Sequence, residues 1–287
     1  HHLTMNRLFC AVCYCLLLSS TVVAELKPED QLTIRVNTFR RLDLIKYFLD
    51  YYQTCDVIRQ VQVVWSDQVN SPPTDWLQNY PPGKYMFEVH KTDSLNNRFK
   101  VLDNVPTEAV LSIDDDLIVP CEDLAYSLQV WKANKNVLVG FSPRMHTYDV
   151  IVGNQRYLNW QYTWWSGIYT IMLTKAAIMH RDYLPDYEKL VPQEMLTQIT
   201  THRNCEDIAM AHVVAKQSDA APVWVHVIIY EVSTGGISSG TSHFEDRSKC
   251  VDQLKTLTKS SPWVTGYQKV MRISYLDWFR YWWMDNK

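Results

Sequence analysis

Short β-branched apolar runs alternate with stretches of helical periodicity from residue 31 to about 141. The runs Leu32–Val36, Val61–Trp65, Tyr85–Val89, Ala109–Ile113 and Val137–Phe141 predict five strands. Between the first two, Leu42, Ile45, Leu49 and Tyr52 recur at the spacing of one helix face. Pro72-Pro73 and Pro81-Pro82-Gly83 mark loops. Pro120 opens a second helix, with Glu122 and Asp123 at its electropositive start and Lys132 and Lys135 near its end. Strand and helix alternating in this way predict βαβ units, hence an α/β fold with a mixed, mostly parallel sheet flanked by helices.

The pattern changes after residue 142. Tyr148–Val152 and Tyr157–Trp160 on either side of Gly153-Asn154 predict a hairpin, and Ile168–Leu173 and Val223–Ile229 predict further strands. Residues 192–201 and 205–216 have helical character, and the Gly- and Ser-rich Ser233–Gly240 predicts a flexible loop. No linker-like break and no internal repeat interrupt the chain. Residues 25–287 therefore read as a single domain, with an N-terminal nucleotide-type half at about 31–141 and a C-terminal half at about 142–270.

Ahead of this body, Met5-Asn6-Arg7 precedes a charge-free stretch, Leu8 to Ala24, that ends in Val22-Val23-Ala24. A basic start, an apolar run and a small-residue end predict a signal peptide or a short signal anchor over residues 5–24. The body is then expected in the lumen of the secretory pathway, endoplasmic reticulum or Golgi, or outside the cell. Any membrane contact is expected only through the anchor. In that oxidising compartment the four remaining cysteines, Cys55, Cys121, Cys205 and Cys250, predict one or two disulfides, and their spacing leaves all three connectivities open. No CxxC or HxxxH pair in the body suits zinc, and no Asn-x-Ser/Thr sequon occurs.

Charge narrows the partners. Lys and Arg number 28 against 31 Asp and Glu, a net charge of −3, and no basic run is present, which argues against a nucleic-acid binder. The 11 Trp and 17 Tyr suit either sugar stacking or a packed core. The most informative chemistry is Asp114-Asp115-Asp116, which follows an apolar strand and precedes a helix, the place where open α/β sheets bind ligands. Three adjacent carboxylates repel one another, and a cation relieves that repulsion. Oxygen-only donors select hard divalent ions, Mn²⁺ or alternatively Mg²⁺, which complete their shells with phosphate oxygens.

Several ordered blocks then resemble one family. Asn37-Thr-Phe-Arg-Arg41, Ser94-Leu-Asn-Asn-Arg98-Phe, Val110-Leu-Ser-Ile-Asp-Asp-Asp116, Val139-Gly-Phe-Ser-Pro-Arg144, Asn204-Cys-Glu-Asp-Ile-Ala-Met210 and Ser239-Gly-Thr-Ser-His-Phe-Glu-Asp-Arg247-Ser-Lys-Cys250 are similar to those of the exostosins and exostosin-like transferases, glycosyltransferase family 64. The resemblance covers about residues 31–270. It implies a GT-A type nucleotide-diphospho-sugar transferase fold and a retaining transfer of an α-linked sugar. N-acetylhexosamine (GlcNAc or GalNAc) is the expected sugar, carried from a UDP donor to a glycan or glycolipid acceptor with Mn²⁺. Arg41 and Arg98 resemble donor-binding arginines, Asp114 and Asp115 the ribose and sugar contacts, and Asp116 the metal ligand. Asp207 resembles the catalytic carboxylate and Arg247 the cation that clamps the diphosphate, while Cys205 and Cys250 resemble a family disulfide. Trp160, Tyr162, Trp164 and Trp165 resemble the aromatic segment that lines an acceptor groove. A homodimer is compatible with the family.

Other readings stand beside these. Asn204 with Asp207 also fits a helix N-cap, and Arg41, Arg98 and Arg247 also fit solvated surface charge. The sequence departs from the family at Asp93, a donor-contact position where Asn is more common, and at Lys175 and Ala211. The competing function is a catalytically inactive secreted module that keeps the fold to bind carbohydrate or to scaffold.

Overall fold

A computed structural model of the chain describes residues 26–233 and 243–272. The 5–24 segment and nearly all of the Ser233–Gly240 loop lie outside the described residues. The N-terminal half follows the expected alternation. β1 (Leu32–Thr38) leads into α1 (Leu42–Tyr52), then β2 (Ile58–Trp65), β3 (Tyr85–Val89), β4 (Ala109–Asp114), the short β5 (Leu117–Ile118), α2 (Cys121–Lys132) and β6 (Val139–Gly140). The expected strand at Val137–Phe141 contracts to two residues. Its Gly140 lies where a Cβ would meet the Ala177 Cβ and the Met172 Cγ at 2.8 Å, so only glycine lets the strands approach this closely.

The C-terminal half departs further from expectation. The hairpin forms from β7 (Pro143–Asp149) and β8 (Asn154–Leu158), so Val150, Ile151 and Val152 are its turn and not part of a strand. Asp149 accounts for the difference: its Oδ1 accepts from the Ile151 and Val152 amides at 3.0 and 3.1 Å, and Gly153 closes the turn at φ 77°. Trp160 does not extend the hairpin either. It starts α3 (Trp160–Ser166), capped by the Asn159 side chain. β9 (Ile171–Met172) is shorter than the expected Ile168–Leu173, and β10 (Ala176–His180) and α4 (Tyr183–Leu190) follow it. α5 (Gln193–His202) and α6 (Glu206–Ser218) match the expected helices. β11 (Val223–His226) stops short of Ile229, and β12 (Tyr230–Glu231), α7 (His243–Thr258) and β13 (Lys269–Met271) complete the described elements.

Eight strands form the main sheet in the order β13-β11-β6-β10-β4-β1-β2-β3, with only β10 antiparallel to its neighbours. Its two faces carry separate apolar clusters. Leu32, Ile34, Val36, Val61 and Val63 pack against Ile45, Phe48 and Leu49 of α1 and Leu124 and Leu128 of α2. On the other face Val110, Ala177 and Met179 pack against Tyr187, Ile199, Ile208, Met210, Val251 and Leu254. Each fully buried aliphatic or aromatic chain contributes roughly 1.5–3 kcal/mol. Cys55 is bonded to Cys121, joining the end of α1 to the start of α2, and Cys205 is bonded to Cys250, joining α6 to α7.

The chain runs β1 to β3 outward on one side, then returns to place β4 on the other side of β1. A topological switch point therefore lies between the carboxyl ends of β1 and β4, where Asn37 stands opposite Asp114. One buried cation braces this region from below. Arg35 on β1 donates to both Glu88 oxygens at 2.7 and 3.0 Å, to Gln62 at 2.7 Å, and through Nε to the Arg98 carbonyl at 2.9 Å. Burial alone would raise the Glu88 pKa, but hydrogen bonds from His90 and Arg35 outweigh it and hold the carboxyl at about 2.

Candidate active site

The three aspartates leave β4 in sequence; Arg98 holds the first, and Arg41 is shared by the second and third. Asp114 pairs with Arg98 Nη2, and Arg98 Nη1 also donates to the Thr174 carbonyl at 3.2 Å. Asp115 is buried; its Oδ2 accepts from Thr38 Oγ1 at 2.7 Å and its Oδ1 from Arg41 Nη1 at 2.9 Å. The same Arg41 nitrogen reaches Asp116 Oδ2 at 3.1 Å. Burial pushes the Asp115 pKa up, opposed by the Thr38 hydrogen bond and by Arg41. Arg98 is buried too, and its guanidinium is held charged by Asp114, Glu206 and Asp207 against the cost of burial. Arg41 and Arg98 are thus neither of them solvated surface arginines.

A second cluster forms at the start of α6. Arg203 and Cys205 both occupy the left-handed region, at φ 51° and 80°, a bend that non-glycine residues adopt at a cost and that the Cys205–Cys250 bridge holds in place. The helix N-cap is Cys205, with no side-chain cap bond, so the capping role considered for Asn204 does not occur. Asp207 lies in the first turn. Its Oδ2 accepts from Arg247 Nη2 at 2.9 Å and its Oδ1 from the Ile208 amide at 2.8 Å. Arg247, on α7, also donates to Tyr157 Oη at 3.1 Å, and its guanidinium carbon lies 5.3 Å from that ring's centroid. Both members of the pair are buried, which removes the surface-charge reading of Arg247.

Glu206, Tyr157, Arg144 and Thr38 join this site without having been singled out from the sequence. Glu206 is buried beside Asp207, and burial together with that neighbour's charge raises its pKa, opposed by Arg98 and Arg247. Arg144 is pushed the other way, its pKa lowered by burial and by Arg247 nearby, with Tyr157 and Asp207 opposing. The available signals were the Glu-Asp step in the Asn204–Met210 block for Glu206 and membership of the Asn37–Arg41 block for Thr38. Asp93 stands apart from the triplet's arginines and pairs instead with Arg203, whose guanidinium carbon also lies 5.5 Å from the Phe39 ring centroid.

Unsatisfied groups gather here. Among the described residues Asn37 Oδ1, Arg98 Nε, Thr174 Oγ1, Asn204 Oδ1 and Arg247 Nε are buried without a hydrogen-bond partner, and they belong to residues of the site or adjoin them in the chain. Buried polar groups are normally paired, so a concentration of orphans marks where a polar ligand belongs.

The charges bear on a divalent ion. Arg41, Arg98, Arg144 and Arg247 face Asp114, Asp115, Asp116, Glu206 and Asp207, so four cations meet five carboxyls. The site has no positive excess with which to receive a diphosphate. No group of three or more His, Cys, Asp or Glu among the described residues could enclose a metal. Mn²⁺ and Mg²⁺ need less than that: one or two carboxylates, with phosphate and water completing the shell. Asp116, whose side chain is 15% exposed and has one oxygen on Arg41, fits that requirement.

α3 presents an aromatic surface, with Trp160, Tyr162 and Trp165 exposed and Trp164 partly buried against the second core. No helix among the described residues is long and apolar enough to cross a membrane.

Comparison with known proteins agrees with this architecture. The glycosyl transferase family 64 domain profile matches residues 32–275. Glycosylinositol phosphorylceramide mannosyl transferase 1 of Arabidopsis thaliana is 36% identical over 237 residues, 77% of this chain and 70% of the relative. Glucosamine inositolphosphorylceramide transferase 1 of Oryza sativa subsp. indica is 30% identical over 251 residues, and exostosin-2 of Homo sapiens is 29% identical over 245 residues. These matches cover 84% and 82% of this chain but only 33% of either relative. Among solved structures, S. aureus TarS 1–349 in complex with UDP-GlcNAc aligns with a TM-score of 0.50 at 15% identity, over 79% of this chain and 66% of that one. The mixed, mostly parallel sheet flanked by helices is thus of the GT-A type.

Proposed function

The chain belongs to glycosyl transferase family 64, and from that premise we propose that it moves a sugar from a UDP donor, with retention, onto the glycan headgroup of an inositolphosphoceramide glycolipid in the secretory-pathway lumen. The observation that carries the reading is the set of orphaned polar atoms around Asp114–Asp116, Arg98 and the Asp207–Arg247 pair. Two relatives whose names specify inositolphosphorylceramide support the acceptor class.

Asp114 and Asp115 are fixed by Arg98, Thr38 and Arg41, so they are prealigned to accept hydrogen bonds from ribose and sugar hydroxyls. Asp116 would hold Mn²⁺ or Mg²⁺, and the ion would supply Lewis-acid neutralisation of the diphosphate when bound. Arg247 has its Nε unpaired and offers that N–H to the departing phosphate while its Nη2 keeps Asp207 in place. Asp207 has each oxygen engaged, one by Arg247 and one by the Ile208 amide. A carboxylate so restrained is a weak nucleophile but a well-placed negative charge, which favours its stabilising a cationic anomeric carbon during front-side attack over forming a covalent intermediate. Burial around Glu206 and Arg144 keeps the dielectric low, which strengthens each of these interactions.

N-acetylhexosamine is the donor sugar in this reading. A mannosyl donor is the second reading, favoured by the name of the 36% identical relative. Incubating the protein with Mn²⁺, an inositolphosphoceramide acceptor and each nucleotide-sugar in turn tests both. Transfer from one donor that gives an α-linked product supports the proposal. Intact donors and acceptor throughout would leave the inactive carbohydrate-binding module as the better account.

A further inference from the structure

The turn of the β7–β8 hairpin carries Val150, Ile151 and Val152 at 83%, 92% and 68% exposure, three consecutive aliphatic residues at the outermost point of a loop. Tight turns ordinarily collect Gly, Asn, Asp and Pro. Here the polar work is done by the flanks. Asp149 Oδ1 accepts from the Ile151 and Val152 amides, and the Asp149 carbonyl accepts from Gly153 N at 2.8 Å. The Ile151, Val152 and Gly153 amides are therefore satisfied inside the turn, while the Val150, Ile151 and Val152 side chains stay exposed. Such a tip can leave water without stranding those N–H groups, a condition for entering hydrocarbon.

The hairpin is also tied by hydrogen bonds to α7 and to the site. The Gln155 amide donates to Asp252 Oδ1 at 3.1 Å and the Tyr157 amide to Ser248 Oγ at 3.0 Å, fastening β8 to α7. At its base Tyr157 holds Arg247. Tyr157 lies five positions along the chain from Val152, at most roughly 16 Å at the usual strand rise. Aromatic and basic groups lie behind the apex: Tyr148 is half exposed with Lys255 Nζ 5.2 Å from its ring centroid, and the Arg156 side chain, paired with Asp149 at 3.4 Å, is 61% exposed. Apolar residues at a tip with tyrosine and basic residues behind them suit the interface of a bilayer bearing anionic headgroups.

We propose that the Val150–Val152 turn inserts into the acyl boundary of a lipid bilayer and holds the Asp207–Arg247 pair above the headgroups. The choice of a bilayer over another occupant rests on the glycolipid acceptor of the preceding section, because an acceptor anchored by ceramide must be reached at the membrane surface.

Flotation of the full chain with vesicles of phosphatidylcholine and phosphatidylserine tests it, comparing the wild type with Ile151→Asp and with Val150→Ser/Val152→Ser. Hydrolysis of the nucleotide-sugar in vesicle-free solution and light scattering are measured on the same samples. The expected result is vesicle binding that drops about tenfold in both variants, with solution hydrolysis and molar mass unchanged. Equal flotation of all three proteins overturns the proposal. A fall in molar mass of the variants without any vesicle binding by the wild type also overturns it, assigning the tip to contact with a second copy. Loss of hydrolysis in every protein, with the flotation contrast intact, removes the transferase reading and leaves the membrane contact standing.

Discussion

Replacing Asp207 with Asn separates electrostatics from architecture at the centre of the site. The substitution is isosteric, so the amide oxygen keeps one of the two hydrogen bonds that Asp207 accepts, from Ile208 N or from Arg247 Nη2. What disappears is the negative charge beside a buried guanidinium. Breaking a buried ion pair outright costs about 3–5 kcal/mol. Two features reduce that figure here: Tyr157 still accepts from Arg247, and Glu206, no longer beside a charged Asp207, ionises more readily and becomes the counter-charge. The stability loss is therefore expected at about 1–3 kcal/mol, the range for one impaired buried hydrogen bond. Turnover is more sensitive, because a preorganised charge aimed at the reacting centre contributes about 10²–10³ in rate. Urea denaturation gives the first number, and the rate of UDP release from the donor at saturating Mn²⁺ gives the second. A variant that unfolds as expected yet turns over within twofold of the wild type would refute the role assigned to Asp207.

Three further outcomes follow from the same contacts. Arg35→Ala removes the partner of buried Glu88 and the brace on the Arg98 carbonyl, so it should cost about 3–5 kcal/mol in urea unfolding, with donor affinity weakened in whatever fraction stays folded. Cys250→Ser opens the bridge to Cys205, 45 positions away; the chain-entropy model gives a loss of roughly 4 kcal/mol, and turnover should fall as well because Asp207 and Arg247 lose their tie. His146, His212 and His226 are each held near pKa 4, chiefly by burial, against 6.5 for free histidine. The unfolded chain therefore binds protons that the folded one does not, and stability should fall as pH drops from about 6.5 towards 4, at about 1.4 kcal/mol per pH unit per histidine. Melting temperatures across that window check the sign, and a rise on acidification would contradict it.

The features legible in the sequence are those set by local pattern. β3 and α1 coincide with their expected spans because Tyr85–Val89 is a bounded β-branched and aromatic run and Leu42–Tyr52 carries one clean apolar face. β10 was not expected, since Ala-Ala-Ile-Met-His lacks strand propensity; it becomes a strand because β4 and β6 offer it pairing partners on both sides. α7 was hidden by its charge, with Glu245, Asp246, Arg247 and Lys249 masking the Val251 and Leu254 that dock it. Val150–Val152 misled in the opposite direction, since β-branched residues that suit a strand are here bent into a turn by Asp149. At the site, the triplet is legible as residue type and spacing and Asp207 and Arg247 only through the family resemblance, while most of their partners are not legible at all. Thr38 lies 77 positions from Asp115 and Arg203 lies 110 from Asp93, contacts that exist only once the sheet is assembled.

The central claim is that the acidic end of β4 receives a nucleoside diphosphate together with a divalent cation. Thermal unfolding in the presence of UDP, with and without Mn²⁺, tests it most directly, with Asp116→Ala as the matched control. Binding at a hundredfold excess over Kd stabilises a folded protein by about 2.7 kcal/mol, so the wild type should melt several degrees higher only when UDP and Mn²⁺ are both present, and the control should not respond. A wild-type melting temperature that stays the same at saturating UDP and Mn²⁺ would contradict the account.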